Sequence, residues 1–106
     1  MIKKKFKQGE FGLKDAKGKL MMDLVIPEVI IAIAEVLTFG AKKYKPDSWQ
    51  AVKDGNNVHY ASLMRHLMAW RKGEKYDKES GLSHLKHMMC NAMFLLYHEE
   101  KNGNKR

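Results

Sequence analysis

Two histidines and an asparagine at regular spacing are the residues of this chain best suited to chemistry. His84, His87 and Asn91 stand at positions i, i+3 and i+7, which share one face of an α-helix. The apolar residues of the same stretch fall on another face, where they can pack against a core: Leu82, Leu85, Met89, Ala92 and Leu96. Because exposed helix faces usually carry Lys and Glu, imidazole and amide groups here indicate a polar cavity that holds a metal ion or a substrate. The alternative, which the spacing of His84 and His87 taken alone favours, is a pair of ordinary hydrogen-bonded histidines.

A single carboxylate interrupts a long apolar stretch earlier in the chain. Glu35 is the only charged residue in the segment 29–41, so we expect a desolvated site in which it needs a cation or a metal ion as partner. Together with His84 and His87 it would form a mixed nitrogen and oxygen site for Mn, Fe, Co or Zn. The alternative is a Glu35 that reaches water or pairs with Arg65 or a lysine.

Two further acids precede the histidines. Asp77 and Glu79 either cap the helix that carries His84 or supply oxygen ligands beside it. Both readings agree with the sequence, so the assignment of Glu79 as a metal ligand is a prediction.

Cationic and aromatic residues are suited to a nucleotide. Lys43 and Arg65, which precedes His66, can neutralise phosphates, and Tyr44 or Trp49 can stack on a base. Each has an ordinary alternative, because lysines are favourable at a helix C-terminus and Trp49 can simply cover the core.

The periodicity of apolar residues predicts three helices that would position these groups. The first runs for about 17 residues from Pro27, the second covers about 57–72, and the third begins within 80–83 and ends near residue 97. Long helices with short connections and no convincing strand predict an all-α helical bundle. The boundaries describe a single domain with an irregular N-terminal arm, a helical core and a frayed tail: 1–25, 26–98 and 99–106.

Length and composition limit the size of the core. A chain of 106 residues with 44% hydrophobic residues buries a modest core, so we expect a homo-oligomer to complete it. The first helix is apolar on nearly all sides, which places it centrally or at a subunit interface.

The apolar runs and the cysteine content indicate a cytoplasmic protein. No apolar run reaches the length of about 18 residues that a membrane span needs. The single cysteine, Cys90, lies in an apolar helical pattern, which favours a buried, inert thiol and a reducing compartment.

Several short motifs in a fixed order resemble those of the dATP/dGTP diphosphohydrolase family, the phage-associated MazZ-like relatives of the all-α MazG nucleotide pyrophosphohydrolases. The similarity covers roughly residues 17–98 and is carried by these residues: Gly18, Lys19, Leu20, Asp23, Leu24, Pro27, Phe39 to Tyr44, Trp49, Arg65 to Leu67, Gly73, Glu74, Asp77, Glu79 to Gly81, His84, Leu85, His87 and Asn91.

The resemblance implies an oligomeric all-α enzyme that uses Mg²⁺ or Mn²⁺. Such an enzyme cleaves a purine deoxynucleoside triphosphate between the α and β phosphates and releases dNMP and pyrophosphate. In MazG enzymes the metal lies on acidic clusters that include a Glu-x-x-Asp motif, and in this chain His84-x-x-His87 stands in that place.

A mechanism follows from this resemblance together with the candidate residues. Glu35 would act as ligand or base, and His84 and His87 would ligate the metal or position the attacking water. The phosphate charge would be neutralised by Lys19, Lys43 and Arg65, and the nucleoside would contact Trp49 and Asn91.

The net charge of +8 supports one rival from another class. A non-enzymatic, basic, nucleic-acid-binding helical dimer would use the lysine-rich arm and would bind in a salt-dependent way. The lysines cluster at the chain ends, however, and such a module does not need His84, His87 or Glu35. Nucleic acid is therefore not the expected partner.

Overall fold

The computed structural model describes residues 17–103. Most of the expected arm, residues 1–16, and the last three residues of the expected tail, 104–106, lie outside the described part. Within it the protein consists of three α-helices and two short 3₁₀ helices, Met22–Leu24 and Ser48–Ala51. The predicted all-α class is confirmed.

The first helix, α1, spans Pro27–Lys43, which confirms the predicted start and length. Pro27 occupies the first helical position, where its missing N–H costs no hydrogen bond. Lys42 and Lys43 lie in the last turn, where positive charge is favourable next to the helix C-terminus.

The other two helices lie close to their predicted positions. Helix α2 spans Gly55–Arg71 and α3 spans His84–Asn102. Ser83 caps α3, because its side chain accepts a hydrogen bond from the backbone N–H of Leu85. The predicted end of α3, near residue 97, was too early, because the helix continues to Asn102 and ends at Gly103, which adopts the left-handed conformation. Fraying of the tail from residue 99 stays a prediction.

A tight loop joins α2 to α3 and brings its acids next to the first turn of α3. Backbone hydrogen bonds close the loop from Asp77 to Leu82 and from His84 to Lys75. Gly81 has a φ of 76°, a conformation that glycine adopts without a steric cost. The only bridge pairing among residues 17–103 joins Tyr76 to Ser83 in this loop, and no strand forms there.

The main packing contact is between α2 and α3, and α1 packs on α3. Among the described residues the buried apolar ones are Ala32, Val36 and Cys90, and four polar residues are also buried: His59, His84, His87 and Asn91. Because burial of polar groups is unfavourable unless they find partners, this core is built around an imidazole cluster.

Helix α1 is not the central helix, which corrects one of the two positions expected for it. Ile30 and Ile31 are 62% and 58% exposed, because α1 packs on α3 along one side only. The other expected position, a subunit interface, stays a prediction. Within residues 17–103, no helix has the length and the apolar character needed to cross a membrane.

Candidate metal and catalytic site

A line of polar side chains runs between α2 and α3, and we call it the polar seam. It consists of His59, Ser62 and His66 on α2, with His84, His87, Asn91 and His98 on α3. The two helices run antiparallel along it, since His59 stacks near His98, Asn91 bonds to Ser62, and His66 contacts His84. Three imidazoles lie together at the end of the polar seam next to the loop that precedes α3: those of His66, His84 and His87.

His84 is held from two sides. Its Nε2 lies 2.6 Å from Oε2 of Glu74, and its Nδ1 lies 2.8 Å from Nδ1 of His66. An ionised carboxylate can accept hydrogen bonds but cannot donate them, so Nε2 of His84 donates to Glu74. In the neutral ring Nδ1 then presents a lone pair toward His66.

Asp77 and Ser80 lie in the loop before α3 and complete this end of the polar seam. The Asp77 carboxylate accepts a hydrogen bond from the backbone N–H of Ser80 at 2.8 Å. The Ser80 hydroxyl accepts a hydrogen bond from the Leu82 N–H and lies 2.6 Å from Nε2 of His87, where the direction of the hydrogen bond depends on which ring nitrogen of His87 carries the proton. Nε2 of His87 is also 3.7 Å from the Asp77 carboxylate.

Burial keeps two of these imidazoles neutral. Desolvation lowers the pKa of His66 to about 4, and the neighbouring His87 adds to this effect. Desolvation also lowers the pKa of His87, against the opposing influence of Asp77. Partial burial would raise the pKa of Asp77, but the hydrogen bonds from Ser80 outweigh it and the pKa falls. At neutral pH the site therefore combines an anionic Asp77 carboxylate with the uncharged rings of His66 and His87.

His66, Asp77 and His84 have the donor atoms and the proximity of a metal site. One ligand atom from each lies within 4.8 Å of the other two. Two imidazole nitrogens and a carboxylate oxygen are common ligands of divalent transition ions. The residues present therefore fit a divalent transition ion, which includes the Mn²⁺ but not the Mg²⁺ of the two ions implied by the resemblance.

The structure separates Glu35 from this group. Its carboxylate is exposed and pairs with Lys86 at a distance of 2.6 Å, so the expected apolar surroundings are a wrong prediction. The reason is that α1 leaves the side of Glu35 open to solvent, and the alternative partner, a lysine, is the one observed. The catalytic and metal roles expected for Glu35 stay predictions, and His84 and His87 do lie together as expected.

Glu79 also has a different partner from the one expected. It is exposed and forms an ion pair with Lys43, the last residue of α1. The hydrogen bond to Glu79 raises the pKa of Lys43. Of the two acids considered as oxygen ligands beside His84, Asp77 is the one that lies within reach of it.

The other residues expected at a substrate site have varied surroundings. Lys19 and Arg65 are exposed, and the charge of Arg65 acts on His66. Asn91 is buried and donates to Ser62 and to the backbone carbonyl of His87. Since both donated bonds are internal, the side-chain oxygen of Asn91 is the atom left for a substrate.

An apolar pocket of about 810 Å³ lies beside the end of the polar seam that carries His59. Its size is within the range of small-molecule sites. The wall comes from α1, the segment 44–52 and the first turns of α2, with these residues: Val36, Leu37, Thr38, Gly40, Ala41, Tyr44, Lys45, Pro46, Asp47, Ser48, Trp49, Ala51, Val52, Val58, His59 and Phe94.

Two predicted base-stacking residues line this pocket. Tyr44 is 67% exposed, and the Lys43 ammonium lies 5.1 Å from its ring centroid. Trp49 stacks on Phe94 with ring centroids 4.3 Å apart, and the edge of its ring system meets Tyr97. One face of Trp49 therefore anchors the segment 44–52 to α3, as its ordinary alternative foresaw.

Sequence reasoning missed His66, Glu74 and Ser80 as members of the site. The signal for His66 was present, because His59, Ser62 and His66 repeat on α2 the i, i+3, i+7 spacing of His84, His87 and Asn91 on α3. No comparable signal marks Glu74 or Ser80, whose positions depend on how the loop closes.

Fold and site together define a small all-α domain whose buried imidazole and carboxylate cluster is suited to a metal ion. The family model "dATP/dGTP diphosphohydrolase, N-terminal" matches residues 10–106, and the chain belongs to this family. It is similar to a protein of Salmonella phage PMBT28 named dATP/dGTP diphosphohydrolase, with 30% identity over 86 residues. That match covers 81% of this chain and 29% of the relative's length. No solved structure shows a significant match.

Proposed function

We propose that this chain is a nucleotide diphosphohydrolase, or the catalytic part of one, that cleaves dATP or dGTP to dNMP and pyrophosphate with a divalent metal ion. The observation that carries the proposal is the partly buried cluster of His66, Asp77 and His84 in a chain of the dATP/dGTP diphosphohydrolase family. A helical domain that only binds nucleic acid would gain nothing from burying these groups, since their burial is unfavourable for stability.

The metal ion would be held by His66, Asp77 and His84. A divalent ion in this place, Mg²⁺ or Mn²⁺ by the resemblance, supplies neutralisation of phosphate charge and polarisation of water. The protein's own contribution is the fixed orientation of the ligands, since Glu74 holds His84 from the outer side.

His87 is suited to remove the proton from the attacking water. Its lowered pKa leaves the ring neutral at neutral pH. In the tautomer that carries its proton on Nδ1, Nε2 can accept the proton of the water in place of its hydrogen bond with the Ser80 hydroxyl. The water oxygen then bonds to the α-phosphorus, the bond from that phosphorus to the bridging oxygen breaks, and pyrophosphate leaves. Asp77, 3.7 Å away, stabilises the protonated ring.

The nucleoside would lie toward the apolar pocket and the triphosphate toward the cluster. His59 at the pocket and His66 at the cluster are seven residues apart on α2, which corresponds to about 10 Å along the helix axis. Lys43 and Arg65 border the site and can neutralise phosphates, as Lys19 was expected to do. Tyr44 presents an open aromatic face to a base.

A second copy of the chain would cover the exposed apolar surface formed by residues 20–31. Eight large apolar residues there are more than half exposed: Leu20, Met21, Met22, Leu24, Val25, Ile26, Ile30 and Ile31. Such a patch is characteristic of an interface, and self-association of a small domain with few buried apolar residues is a common solution. A homo-oligomer is therefore part of the proposal.

The activity is tested by incubating purified protein with each dNTP and Mn²⁺ or Mg²⁺ and separating the products. Release of dNMP and pyrophosphate from dATP or dGTP, lost in a folded His84→Gln variant, is the expected result. Absence of turnover with every purine nucleotide, together with strongly salt-dependent binding of DNA or RNA, would instead support the nucleic-acid-binding dimer.

A further inference from the structure

We infer that His66, Asp77 and His84 select a first-row transition ion of the Zn²⁺ and Co²⁺ type over Mg²⁺, and that Glu74 is the positioning residue that orients His84 for this ion. The inference deepens the metal requirement of the proposed function and rests on it for the catalytic role of the ion. The binding itself stands on the geometry of the cluster.

The first argument is the chemical type of the ligands. Two of the three donor atoms are imidazole nitrogens, which suit Zn, Fe, Co and Ni, whereas Mg²⁺ prefers carboxylate, carbonyl and water oxygens. Glu35 and Glu79, which could have made the site richer in oxygen, are paired with Lys86 and Lys43. Among the three candidate ligands Asp77 therefore supplies the single carboxylate.

The second argument is the distance between the two ring nitrogens. Nδ1 of His66 and Nδ1 of His84 are 2.8 Å apart. Two nitrogens that each lie about 2.0 to 2.1 Å from one ion would be about 2.9 to 3.4 Å apart, for bond angles between 90° and tetrahedral. The rings therefore need to separate by only a few tenths of an ångström, and His84 is already 96% buried.

The third argument is the outer carboxylate. Glu74 accepts the Nε2 proton of His84 at 2.6 Å, which keeps the lone pair of Nδ1 pointed at the cluster. A histidine that donates its second ring N–H to a carboxylate is the usual arrangement behind a metal-bound imidazole. The loop fixes Glu74 through the hydrogen bond from its backbone N–H to Ala69.

The test measures metal binding without nucleotide, on full-length protein freed of any affinity tag and of metal. Titration calorimetry with zinc sulfate, cobalt chloride and magnesium chloride should give roughly one Zn²⁺ or Co²⁺ per chain, bound at least about 100-fold more tightly than Mg²⁺. Bound Co²⁺ should show visible absorption stronger than that of the aqueous ion. Saturating Zn²⁺ should raise Tm by about 10 °C or more.

Variants distinguish the residues that bind the metal ion from residues that do not. His66→Gln and Asp77→Asn should each lose the Co²⁺ spectrum, while His59→Gln, a buried imidazole outside the cluster, should keep it. Glu74→Ala should weaken Zn²⁺ binding by about 10-fold to 100-fold, and Glu74→Gln, which still offers an acceptor oxygen, should weaken it less. Circular dichroism confirms that each variant is folded.

The outcomes are distinguishable from those of the activity test. Equal affinity for Zn²⁺ and Mg²⁺ in the wild-type protein, or an unchanged Co²⁺ spectrum in folded Asp77→Asn, overturns the inference even if dGTP is hydrolysed. Selective Zn²⁺ binding that follows the variants upholds it even if no nucleotide is turned over, and in that case the proposed function fails.

Discussion

At the scale of single residues, the chemistry of the site depends on buried imidazoles that stay neutral. His66 is stacked on His87 with ring centroids 4.5 Å apart and contacts His84 through Nδ1. Protonation of one ring would place a positive charge against its neighbours in a poorly solvated place. Neutral rings are also the form that binds a metal ion or accepts a proton from water.

Acid should therefore destabilise the metal-free protein. The pKa of His66 is about 4 in the folded state and near 6.5 in the unfolded state, so the unfolded chain binds more protons between these values. The stability that the folded state gains from a neutral His66 is fully present above pH 6.5 and is lost as the pH falls toward about 4. The lowered pKa of His87 acts in the same direction. Urea denaturation in the presence of a chelator across this window measures the effect.

The matched variant for this experiment is His66→Gln. It removes one of the three imidazoles whose pKa burial lowers, the others being His59 and His87, so its free energy of unfolding should change less with pH over the same window. Asp77 contributes only at lower pH, because its pKa lies below 3.8. A wild-type stability that is constant or rises on acidification through this window would contradict the assignment.

The spacing that pointed to His84 and His87 also applies to His66 on α2. Treating His66 only as the neighbour of Arg65 overlooked that His59, Ser62 and His66 share a face of α2. The apolar surroundings expected for Glu35 were wrong for a different reason. An apolar sequence around a charged residue does not say which side of the helix the protein covers. Here α1 packs on one side only, and Glu35 faces solvent with Lys86.

At the scale of elements, helix boundaries followed local signals. Pro27 begins α1 and Ser83 caps α3, and both were visible in the sequence. The end of α3 was missed because residues 99–102 carry no apolar repeat, although Gly103 marked the stop. The loop that delivers Glu74, Asp77 and Ser80 could not be predicted, since its shape depends on backbone hydrogen bonds across the loop.

The close approach of α2 and α3 at Gly55 gives a test of the polar seam. A Cβ at Gly55 would lie 2.9 Å from Nε2 of His98, a buried nitrogen with no hydrogen-bond partner. Gly55→Ala should lower the free energy of unfolding by about 1 to 2 kcal/mol, because overpacking outweighs the helix propensity of Ala. Urea denaturation provides the measurement.

Gly40→Ala is the matched control for this substitution. Gly40 lies inside α1, and a Cβ there meets no atom within 4 Å. The substitution should raise the free energy of unfolding by about 0.4 to 1 kcal/mol. Equal effects of the two substitutions would show that α2 and α3 are not as close at Gly55 as described.

At the scale of the whole molecule, the apolar surface of residues 20–31 is the feature that a single chain leaves unexplained. The helices bury few large apolar side chains of their own, and α1 exposes Ile30 and Ile31. Composition predicted that a chain of this length would need more burial than it can provide alone. The geometry of an assembly is a property of several chains, which no pattern within one chain encodes.

Replacement of an exposed isoleucine tests the proposed self-association. Wild-type protein should sediment as a dimer or larger species at micromolar concentration, and Ile31→Glu should shift it toward monomer, because a carboxylate would be buried without a partner. The control is Leu96→Glu, which changes an apolar residue of α3 that is 54% exposed. This substitution should leave the assembly intact. A wild-type monomer would refute the interface.

The most direct test of the account is the rate of dGTP hydrolysis by Asp77→Asn, measured beside wild type and Glu99→Gln, an exposed carboxylate outside the site. We predict that folded Asp77→Asn loses about 100-fold or more of the wild-type turnover, whereas Glu99→Gln retains it. Wild-type turnover in folded Asp77→Asn would contradict the claim that the buried histidine and aspartate cluster carries the reaction.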